Sequence, residues 1–537
     1  MIGKKAGFLI FLICSISFKL IAQQISPVEK YAASIKPEDA LRHLTILAAD
    51  WMEGRETGER GQKMAAAYLA DQFKNFGLKP VVKEGDTYSY FQKFDLEKRV
   101  WKDVSIKLDT INKKFLGDFY LYGDFDIPVV EKTEVVFAGY GIDAPNYSDY
   151  KSKKGKFHTD VKGKTVVIFS GEPFTDTISA VTKTKSTSVW ANDWRKKATA
   201  AKALGAKNVV VIIGIVDNDF KNRLNQIKTH LVQPTLGFSH KQRASSAIFV
   251  SISMAAQMLG KTTDELIAIR DERSKVIISG KAYKNKMTPL SFSLKVEVEK
   301  TKMSTENVLG LIEGTDKKDE IVILTAHYDH IGKEGDKIYF GADDDGSGTT
   351  ALIELAEAFS MAVKDGIKPR RSILIMPVTA EEKGLMGSEY YTDKPVFPLS
   401  KTVVDLNIDM IGRLDSLHKS NKDPNYVYII GSDRLSTQLH KINEEANKKS
   451  VNIKLDYRFN SFNDPNRFYF RSDHYNFAKN RIPVIFYFTG VHEDYHKPTD
   501  TVDKIDFDKL TKITRLVFYT AWELANCEER IKVDVEE

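Results

Sequence analysis

Seven imidazole and carboxylate side chains follow one another in the later part of the sequence, in types that suit a metal centre. Two imidazoles and three carboxylates can hold two divalent ions, while one further carboxylate stays free to transfer protons. No cysteine stands among them. The residue types therefore predict a hydrolase with two metal ions, built from His327, Asp329, Asp344, Glu381, Glu382, Asp409 and His496.

The positions of these side chains depend on the elements around them. After about residue 291 the sequence alternates continuous apolar runs with amphipathic segments, a pattern typical of a largely parallel sheet covered on both faces by helices. We therefore expect an α/β fold. The predicted strands are residues 321–326, 373–378, 402–408 and 483–488, and the predicted helix is 350–363.

Four of the seven side chains lie at or just beyond the ends of these predicted strands. They are His327, Glu381, Glu382 and Asp409. Because the carboxyl ends of parallel strands form the functional crevice of such sheets, we expect the four to meet there. A lone histidine after a strand is more often structural, so the prediction depends on the joint pattern.

Length and composition indicate a soluble globular protein with two domains, or with one domain that carries a large insertion. The 537 residues exceed one ordinary core, and 42% hydrophobic with 28% charged residues is the composition of a globular chain. Residues 37–80 predict two helices, separated by a turn-rich segment at 53–58.

The middle of the chain has a different pattern. Short β-branched runs and one alanine-rich helix predict a separate small domain at residues 124–288, inserted between 23–123 and 289–537 of the larger domain. The runs are residues 134–140, 165–170, 208–213 and 247–252, and the helix is 196–204.

Residues 1–22 have the composition of a secretory signal peptide. Basic residues precede the apolar run 8–17, and Lys19 interrupts it before it could span a bilayer. A rival interpretation makes Cys14 a lipidation site, but Ile13 occupies a position where a lipobox needs a small residue. We expect an exported protein, periplasmic or extracellular, without stable membrane insertion once the signal is removed.

The net charge argues against a nucleic-acid-binding protein, and the number of cysteines argues against a disulfide-stabilised one. The formal charge of +6 falls to +3 without the three lysines of residues 1–22, which is too mild to predict nucleic-acid binding. Cys527 is then the only cysteine, so no intramolecular disulfide can form.

An imidazole–carboxylate pair and a pair of adjacent carboxylates favour catalytic chemistry over a solvated surface. Asp329 stands two residues from His327, where it could accept the second ring proton of a metal-bound imidazole or orient that ring indirectly. Glu381 and Glu382 are adjacent in a bend after a strand. Their carboxylates can diverge, so that one binds metal and the other acts as a general base.

The carboxylate-rich segment 341–348 precedes the predicted helix and has two alternative interpretations. An EF-hand loop would place Gly341 at the first ligand position and Leu352 where a glutamate is required, so that alternative fails. Ser347 lacks the Gly-x-Ser-x-Gly frame of a serine hydrolase.

The segment from His492 to His496 matches the zincin motif His-Glu-x-x-His. That motif requires a helix, on which the two histidines share a face. Gly490 and Pro498 make a continuous helix improbable here, so we expect only His496 to bind metal.

Five segments together resemble metallopeptidase family 28, the co-catalytic zinc aminopeptidases, and residues 53–80 extend the resemblance. The middle of the chain resembles a protease-associated (PA) domain through FAGYG at 137–141 and DVKGK at 160–164. The five segments are AHYD at 326–329, GADD at 341–344, TAEEKG at 379–384, NIDM at 407–410 and DYHKP at 494–498.

The resemblance implies a three-layer zinc-exopeptidase fold with a mostly parallel, mixed central sheet and an inserted PA domain. It also implies two zinc ions per chain, which cobalt or manganese could replace. Asp344 would bridge them, with His327 and Asp409 completing one site and Glu382 and His496 the other.

The same resemblance implies roles for other residues. Glu381 would be the general base that activates a metal-bound water, Asp329 would support His327, and Tyr495 would stabilise the oxyanion. Asp343 is a departure, because the family commonly has asparagine beside the bridging aspartate. Its extra charge either tightens metal binding or faces solvent.

These assignments predict an exported aminopeptidase that acts on peptides, with the PA-like domain contacting substrate or another chain. One alternative is a dipeptidase or carboxypeptidase, which needs a cation such as Arg413 or Arg471 for the free carboxylate. A non-catalytic receptor-like relative is disfavoured by the complete ligand set. A glutaminyl-cyclase-like role is disfavoured because those relatives use a single metal.

Overall fold

The computed structural model describes residues 26–175, 177–239, 245–284 and 287–536. The predicted signal peptide at residues 1–22, with Cys14, lies outside them. The chain divides into two compact units. One extends to Gln92 and resumes at Glu306, and the other comprises Lys93–Thr305.

An eight-stranded sheet forms the centre of the first unit, in the spatial order β1-β2-β4-β3-β5-β8-β6-β7. Its strands are β1 (Lys79–Pro80), β2 (Gly310–Ile312), β3 (Lys317–His327), β4 (Arg371–Val378), β5 (Thr402–Ile408), β6 (Tyr426–Ile430), β7 (Lys454–Asp456) and β8 (Val484–Phe488).

The middle of this sheet is parallel. β4, β3, β5 and β8 pair in parallel, with Ile323 of β3 opposite Leu374 of β4 and Asp405 of β5. The outer pairings β1–β2, β2–β4 and β8–β6 are antiparallel. The central strands are buried along nearly their whole length, as expected for strands covered on both faces. The four predicted strands are confirmed.

Helices cover both faces of the sheet. The helix predicted at 350–363 is confirmed as α4, which begins earlier because Asp345 caps its N-terminus. Among the helices of the described residues, none is both long and apolar enough to cross a membrane. The helices of this unit are α1 (Pro27–Ala32), α2 (Pro37–Leu47), α3 (Arg60–Phe76), α4 (Gly346–Lys364), α5 (Met386–Asp393), α6 (Ser416–Asn421), α7 (Thr437–Lys449), α8 (His474–Ala478) and α9 (Phe507–Asn526).

Shorter elements complete the first unit. The two predicted N-terminal helices are α2 and α3, and Gly77 ends α3 in the left-handed region with φ +90°. Short 3-10 segments are Asp50–Arg55, which is kinked at Glu53 and Gly54, and Leu399–Lys401, Arg458–Asn460, Phe468–Phe470 and Val502–Lys504. Two hairpins pair Val82–Glu84 with Thr87–Ser89 and Gly332–Glu334 with Lys337–Tyr339.

The second unit contains two larger sheets. The strands predicted within 134–140, 165–170, 208–213 and 247–252 are confirmed in the first of them. That sheet has the order Phe119–Tyr122, Ala247–Val250, Asn208–Ile212, Thr165–Phe169 and Val135–Phe137. The other sheet has the order Thr235–Phe238, Phe91–Leu108, Phe292–Val308 and Ile127–Thr133, with Ile111–Lys113 beside Phe91–Leu108.

Helices and short hairpins fill the rest of the second unit. The helices are Val189–Asn192, Trp194–Ala203, Asp217–Val232, Ile252–Met258 and Thr263–Ile278. The short strand pairs are Asp143–Ala144 with Tyr147–Ser148 and Phe174–Thr175 with Ile178–Ser179.

This unit is wider than the insertion predicted at 124–288. Its boundaries fall inside the long strands Phe91–Leu108 and Phe292–Val308. Both strands carry many charged, partly exposed residues, so their sequences lack the apolar runs that mark a buried strand. The likeness of this unit to a PA domain stays a prediction.

Candidate metal centre

The ends of four parallel strands lie next to the predicted site residues. His327 is the last residue of β3, Glu381 and Glu382 closely follow β4, and Asp409 directly follows β5. His496 lies in the loop after β8. The carboxyl edge of the sheet therefore brings together residues that are far apart in sequence, as sheets of this class do.

The carboxylate of Asp344 lies between two imidazoles. Its Oδ1 is 3.2 Å from His327 Nε2, and its Oδ2 is 3.1 Å from His496 Nε2. Each oxygen thus faces a different histidine. This is the arrangement that one carboxylate needs in order to take part in two neighbouring metal sites.

The distances between the donor atoms fit bound cations. Ligands about 2.0–2.1 Å from a tetrahedral zinc ion lie roughly 3.3 Å from one another. Glu382 Oε2 is 3.2 Å from His496 Nε2, and Asp409 Oδ1 is 3.7 Å from His327 Nε2. The structure therefore brings the five predicted ligand residues to distances that two ions could span.

Electrostatics favour positive charge at this centre. Burial lowers the pKa of His496, but the close carboxylates of Asp344 and Glu382 outweigh it and raise that pKa to about 10. The pKa of His327 is raised well above its usual value for the same reason, by Glu381, Asp344 and Asp409 against the effect of burial. A site that stabilises protonated imidazoles this strongly also attracts metal cations.

Glu381 lies beside this cluster. Its Oε2 is 3.8 Å from His327 Nε2. Burial raises the pKa of Glu381 well above its usual value; the charge of His327 opposes the shift, and Glu382 and Asp409 add to it. A buried carboxyl with a raised pKa next to the donor atoms suits a group that takes up and releases a proton.

Asp329 supports the site in two ways. His327 Nδ1 is 3.1 Å from the backbone oxygen of Asp329, whereas the Asp329 carboxylate is 3.8 Å from that nitrogen. The carboxylate instead accepts hydrogen bonds from the Glu381 amide at 3.2 Å and the Thr57 hydroxyl at 2.7 Å. The predicted support of His327 is thus indirect, and the side chain of Asp329 fixes the turn that holds Glu381.

Asp345 ties three elements together beneath the site. Its carboxylate accepts hydrogen bonds from the backbone amides of His327 at 3.1 Å, Gly348 at 2.8 Å and Met410 at 3.1 Å. These amides belong to the end of β3, the start of α4 and the turn after β5. The carboxylate fixes the relative positions of the segments that carry His327, Asp344 and Asp409.

Sequence reasoning missed Arg55, a buried side chain of the 53–58 segment. Its guanidinium donates to the backbone oxygens of Leu47, Tyr328, Phe340 and Gly341 at 2.7–2.9 Å. It therefore joins the segment after β3 to the segment that carries Asp344. The sequence signals were a basic residue among turn residues, which more often marks solvent-exposed chain, and its place in the segment 53–80 that extends the family resemblance.

Sequence reasoning also missed His330. This side chain is fully buried, and its Nδ1 is 2.7 Å from Glu382 Oε1 and 3.9 Å from Asp344 Oδ2. With these two carboxylates it forms one of the residue groups that could hold a metal ion. Its position three residues after His327 in the sequence was the available signal.

The departure at Asp343 has a structural explanation. Asp343 is fully buried, and its Oδ2 lies 3.3 Å from Nε2 of His492, which is also buried. Its other oxygen accepts a hydrogen bond from the Gly412 amide at 2.7 Å. The extra carboxylate thus does not face solvent, because it pairs with an imidazole from the loop after β8.

The alternative reading of the segment from His492 to His496 does not fit the fold. No helix occurs between Val484–Phe488 and Val502–Lys504 in this described stretch. His492 pairs with Asp343, whereas His496 faces Asp344 and Glu382. The two histidines therefore point to different partners, and the zincin arrangement is absent here.

A cavity opens beside the cluster. Apolar walls come from Met410, Phe468, Phe486, Phe488 and Val491, and the floor includes His327, Asp344, Glu381 and Asp409.

Tyr495 and Arg471 lie at the same cavity. The Tyr495 ring stacks on His496 with centroids 3.8 Å apart, and its hydroxyl accepts a hydrogen bond from Arg471 at 3.4 Å. Burial and the nearby carboxylates raise the pKa of Tyr495, so its hydroxyl stays protonated. Arg413, the other candidate cation, does not line the cavity and pairs with Asp494 at 3.0 Å.

Comparison with known proteins supports a relationship to metallopeptidases. Residues 307–521 match the family model described as Peptidase family M28. The probable glutamate carboxypeptidase LAMP1 of Arabidopsis thaliana is 41% identical over 105 residues, which are 19% of this chain and 14% of that protein. Aminopeptidase YwaD of Bacillus subtilis is 26% identical over 244 residues, 43% of this chain and 47% of that protein. The chain thus spans less than half the length of these curated relatives.

A solved structure shares the fold. The aminopeptidase from Aneurinibacillus sp. strain AM-1 superposes with a TM-score of 0.54 at 20% identity, over 95% of this chain and 98% of that chain. At that identity the likeness establishes the fold alone. The α/β class with a large mixed sheet is confirmed.

Proposed function

We propose that this chain, whose residues 307–521 belong to peptidase family M28, is an exported exopeptidase that uses two zinc ions to remove N-terminal residues from peptides. One observation carries the proposal. The two oxygens of Asp344 face His327 and His496 at 3.2 and 3.1 Å, so one carboxylate can serve two ions. Asp409 would complete the site of His327, and Glu382 that of His496.

When bound, two such ions would lower the pKa of a water molecule towards about 7 and polarise the scissile carbonyl. Glu381, which lies 3.8 Å from His327, accepts the proton of the attacking water. As the C–N bond breaks, Glu381 gives that proton to the leaving amine. The Tyr495 hydroxyl donates a hydrogen bond to the developing oxyanion.

The cavity beside the cluster supports an exopeptidase. The carboxylates of Glu381 and Asp409 form an acidic wall that can hold the free ammonium group of a peptide. Phe468, Phe486 and Phe488 form an apolar wall that can take the first side chain. A peptide that enters amine-first would therefore place its first peptide bond beside Glu381.

A second candidate is a dipeptidase or carboxypeptidase, and Arg471 favours it. This guanidinium lines the same cavity and donates to Tyr495, where it could bind a free carboxylate. Arg413 offers no such group, because it is buried against Asp494.

Hydrolysis of one tripeptide in free, N-acetylated and C-amidated forms separates the candidates. An aminopeptidase tolerates amidation and loses activity on acetylation, and a carboxypeptidase shows the opposite. A dipeptidase requires both free ends on a dipeptide. Arg471→Gln should raise KM for free-carboxylate substrates only if the second candidate is right. Elemental analysis that finds one ion or none in fully active protein would overturn the two-metal proposal.

Export is a separate part of the proposal and has its own test. If residues 1–22 are removed during secretion, N-terminal sequencing of the exported protein should begin at Gln23. Activity confined to the cytoplasm, with Met1 retained, would contradict it.

A further inference from the structure

A second cavity, of about 520 Å³, lies within the Lys93–Thr305 unit. Two segments that are far apart in sequence line it. The first contributes Lys156, Phe157 and His158, and the second contributes Tyr283 and Lys284. The fold thus brings two lysines and two aromatic rings to one concave site, and none of them belongs to the metal centre described above.

The lining of this cavity is cationic. Lys156 and Lys284 form no ion pair with any residue that the structure describes, and no carboxylate is among the lining residues. The carboxylates that precede the first segment are already engaged, because Asp143 pairs with Lys151 at 2.9 Å and the buried Asp149 lies 3.6 Å from Arg273. Two ammonium groups without a counter-charge attract an anion.

Further lysines add to the positive charge. Lys153 packs against Gly280, where an added Cβ would lie 3.4 Å from the Lys153 Cδ, so the first segment reaches the residues just before the second. Lys154 and Lys281 are exposed. Like charges gathered on one surface repel one another, and a bound anion relieves that repulsion.

The first segment is held in a tight turn. The Ser152 amide donates to the Lys156 oxygen at 2.8 Å, and the Gly155 amide donates to the Ser152 oxygen at 2.8 Å. The His158 amide donates to the oxygen of Tyr150, a fully buried residue, at 3.0 Å. The backbone that carries Lys156 is therefore positioned before a ligand arrives, which lowers the entropy cost of binding.

Two aromatic side chains give the cavity an apolar part. Phe157 is 56% exposed, although Lys151 Nζ lies 5.4 Å from its ring centroid. The Tyr283 ring lies 5.5 Å from the buried guanidinium of Arg273. Exposed aromatic rings beside cations suit a ligand that has both a charged group and an apolar group.

We propose that this cavity binds an acidic segment of a peptide, with a carboxylate held by Lys156 and Lys284 and an adjoining side chain against Phe157 and Tyr283. The lysines select for the carboxylate. The rings and the volume select for more than a lone ion, because pockets for organic ligands typically measure about 300–1,000 Å³. The proposal goes beyond the hydrolytic function, since it uses no residue of the metal centre.

Isothermal titration calorimetry of the full, metal-loaded chain with a short peptide tests the proposal. The peptide is acetyl-Glu-Glu-Tyr-amide, whose blocked ends keep it from a site that requires a free terminus. We expect saturable binding with one peptide per chain, and about 10-fold weaker binding of acetyl-Gln-Gln-Tyr-amide, as for the loss of two exposed ion pairs. Equal affinity for the two peptides would overturn the proposal.

Variants locate the binding. Lys156→Gln combined with Lys284→Gln should weaken binding of the acidic peptide about 10-fold. The matched control is Lys185→Gln combined with Lys228→Gln, because both lysines are exposed in the same unit and neither lines the cavity. This control carries the same change in net charge and should keep the wild-type affinity. Equal effects of the two double variants would overturn the proposal.

Two further probes separate a peptide from other anions. Inorganic phosphate should compete at least ~10-fold more weakly than the acidic peptide, because it is too small to contact the rings. Phosphate that competes equally well would reduce the cavity to a site for small anions. Vesicles of phosphatidylglycerol and phosphatidylcholine that bind through Lys156 and Lys284, when the peptide does not, would assign the lysines to a membrane surface. Either result would overturn the proposal and leave the proposed hydrolytic function untouched.

Discussion

The buried pair of Asp343 and His492 offers the sharpest test of how the site is held. Both side chains are fully buried, and their charged atoms are 3.3 Å apart. His492→Ala would leave the Asp343 carboxylate buried without its partner. Removing one member of a buried ion pair costs about 3–5 kcal/mol, so we expect a loss of that size in the free energy of unfolding.

A double-mutant cycle isolates the pair. Asp343→Asn removes the charge and keeps an oxygen that can accept the Gly412 amide, which now donates at 2.7 Å. The double variant should therefore be less destabilised than the sum of the single variants. We expect a coupling energy of about 1–3 kcal/mol, the range for groups in direct contact.

The free energy of unfolding should depend on pH, and the direction of that dependence follows from the pKa of His492. Burial lowers the pKa of His492, but Asp343 and Asp500 outweigh it and raise that pKa above 6.5. A raised histidine pKa means that the native state binds the proton more tightly than the unfolded state. The stabilisation is therefore complete below about pH 6.5 and is lost as pH rises through the folded pKa. His492→Ala should lack this dependence.

Urea unfolding of chelator-treated protein, followed at several pH values, measures these quantities without contributions from metal. Elemental analysis of metal-loaded His492→Ala should still find two ions, because His492 faces Asp343 and not the donor cluster. A destabilisation below about 1 kcal/mol, or strictly additive single variants, would refute the reasoning.

Further substitutions test the assigned roles. Glu381→Gln should keep both ions and lower turnover about 100-fold or more, whereas Asp344→Ala should lose metal. Elemental analysis that finds equal metal loss in both variants would contradict the roles assigned to Glu381 and Glu382. His496→Ala should abolish activity and release one ion, while Glu493→Gln should leave activity and metal content unchanged, because Glu493 is exposed and pairs with Lys419. Tyr495→Phe should lower kcat about 100-fold with little change in KM, and an unchanged kcat would remove Tyr495 from the mechanism.

The sheet of the first unit could largely be predicted from the sequence, and the residues proposed for the site follow from the same pattern. Strands buried on both faces appear as continuous apolar runs, which is why β4, β5 and β8 could be located within a residue or two. Ligand residues at strand ends follow from the same pattern, because a parallel sheet places all those ends along one edge.

Elements that lack such runs were located less well. Phe91–Leu108 and Phe292–Val308 alternate partly exposed charged residues with buried ones, and neither was predicted as a strand. The boundaries predicted at 124 and 288 lie inside the Lys93–Thr305 unit. These two strands are defined by their pairing with each other, although they are distant in sequence. A prediction made from short stretches of sequence cannot detect such a pairing.

The pairing of buried polar groups with one another could be learned only from the folded chain. Asp343 pairs with His492, Arg55 holds the backbone oxygens of Tyr328 and Gly341, and His330 Nδ1 approaches Glu382. Each contact joins segments that are brought together by the fold. The residues next to each partner in the sequence do not indicate that the contact will form. A residue type states what a side chain can bind, but its actual partner depends on burial and distance, which exist only once the chain has folded.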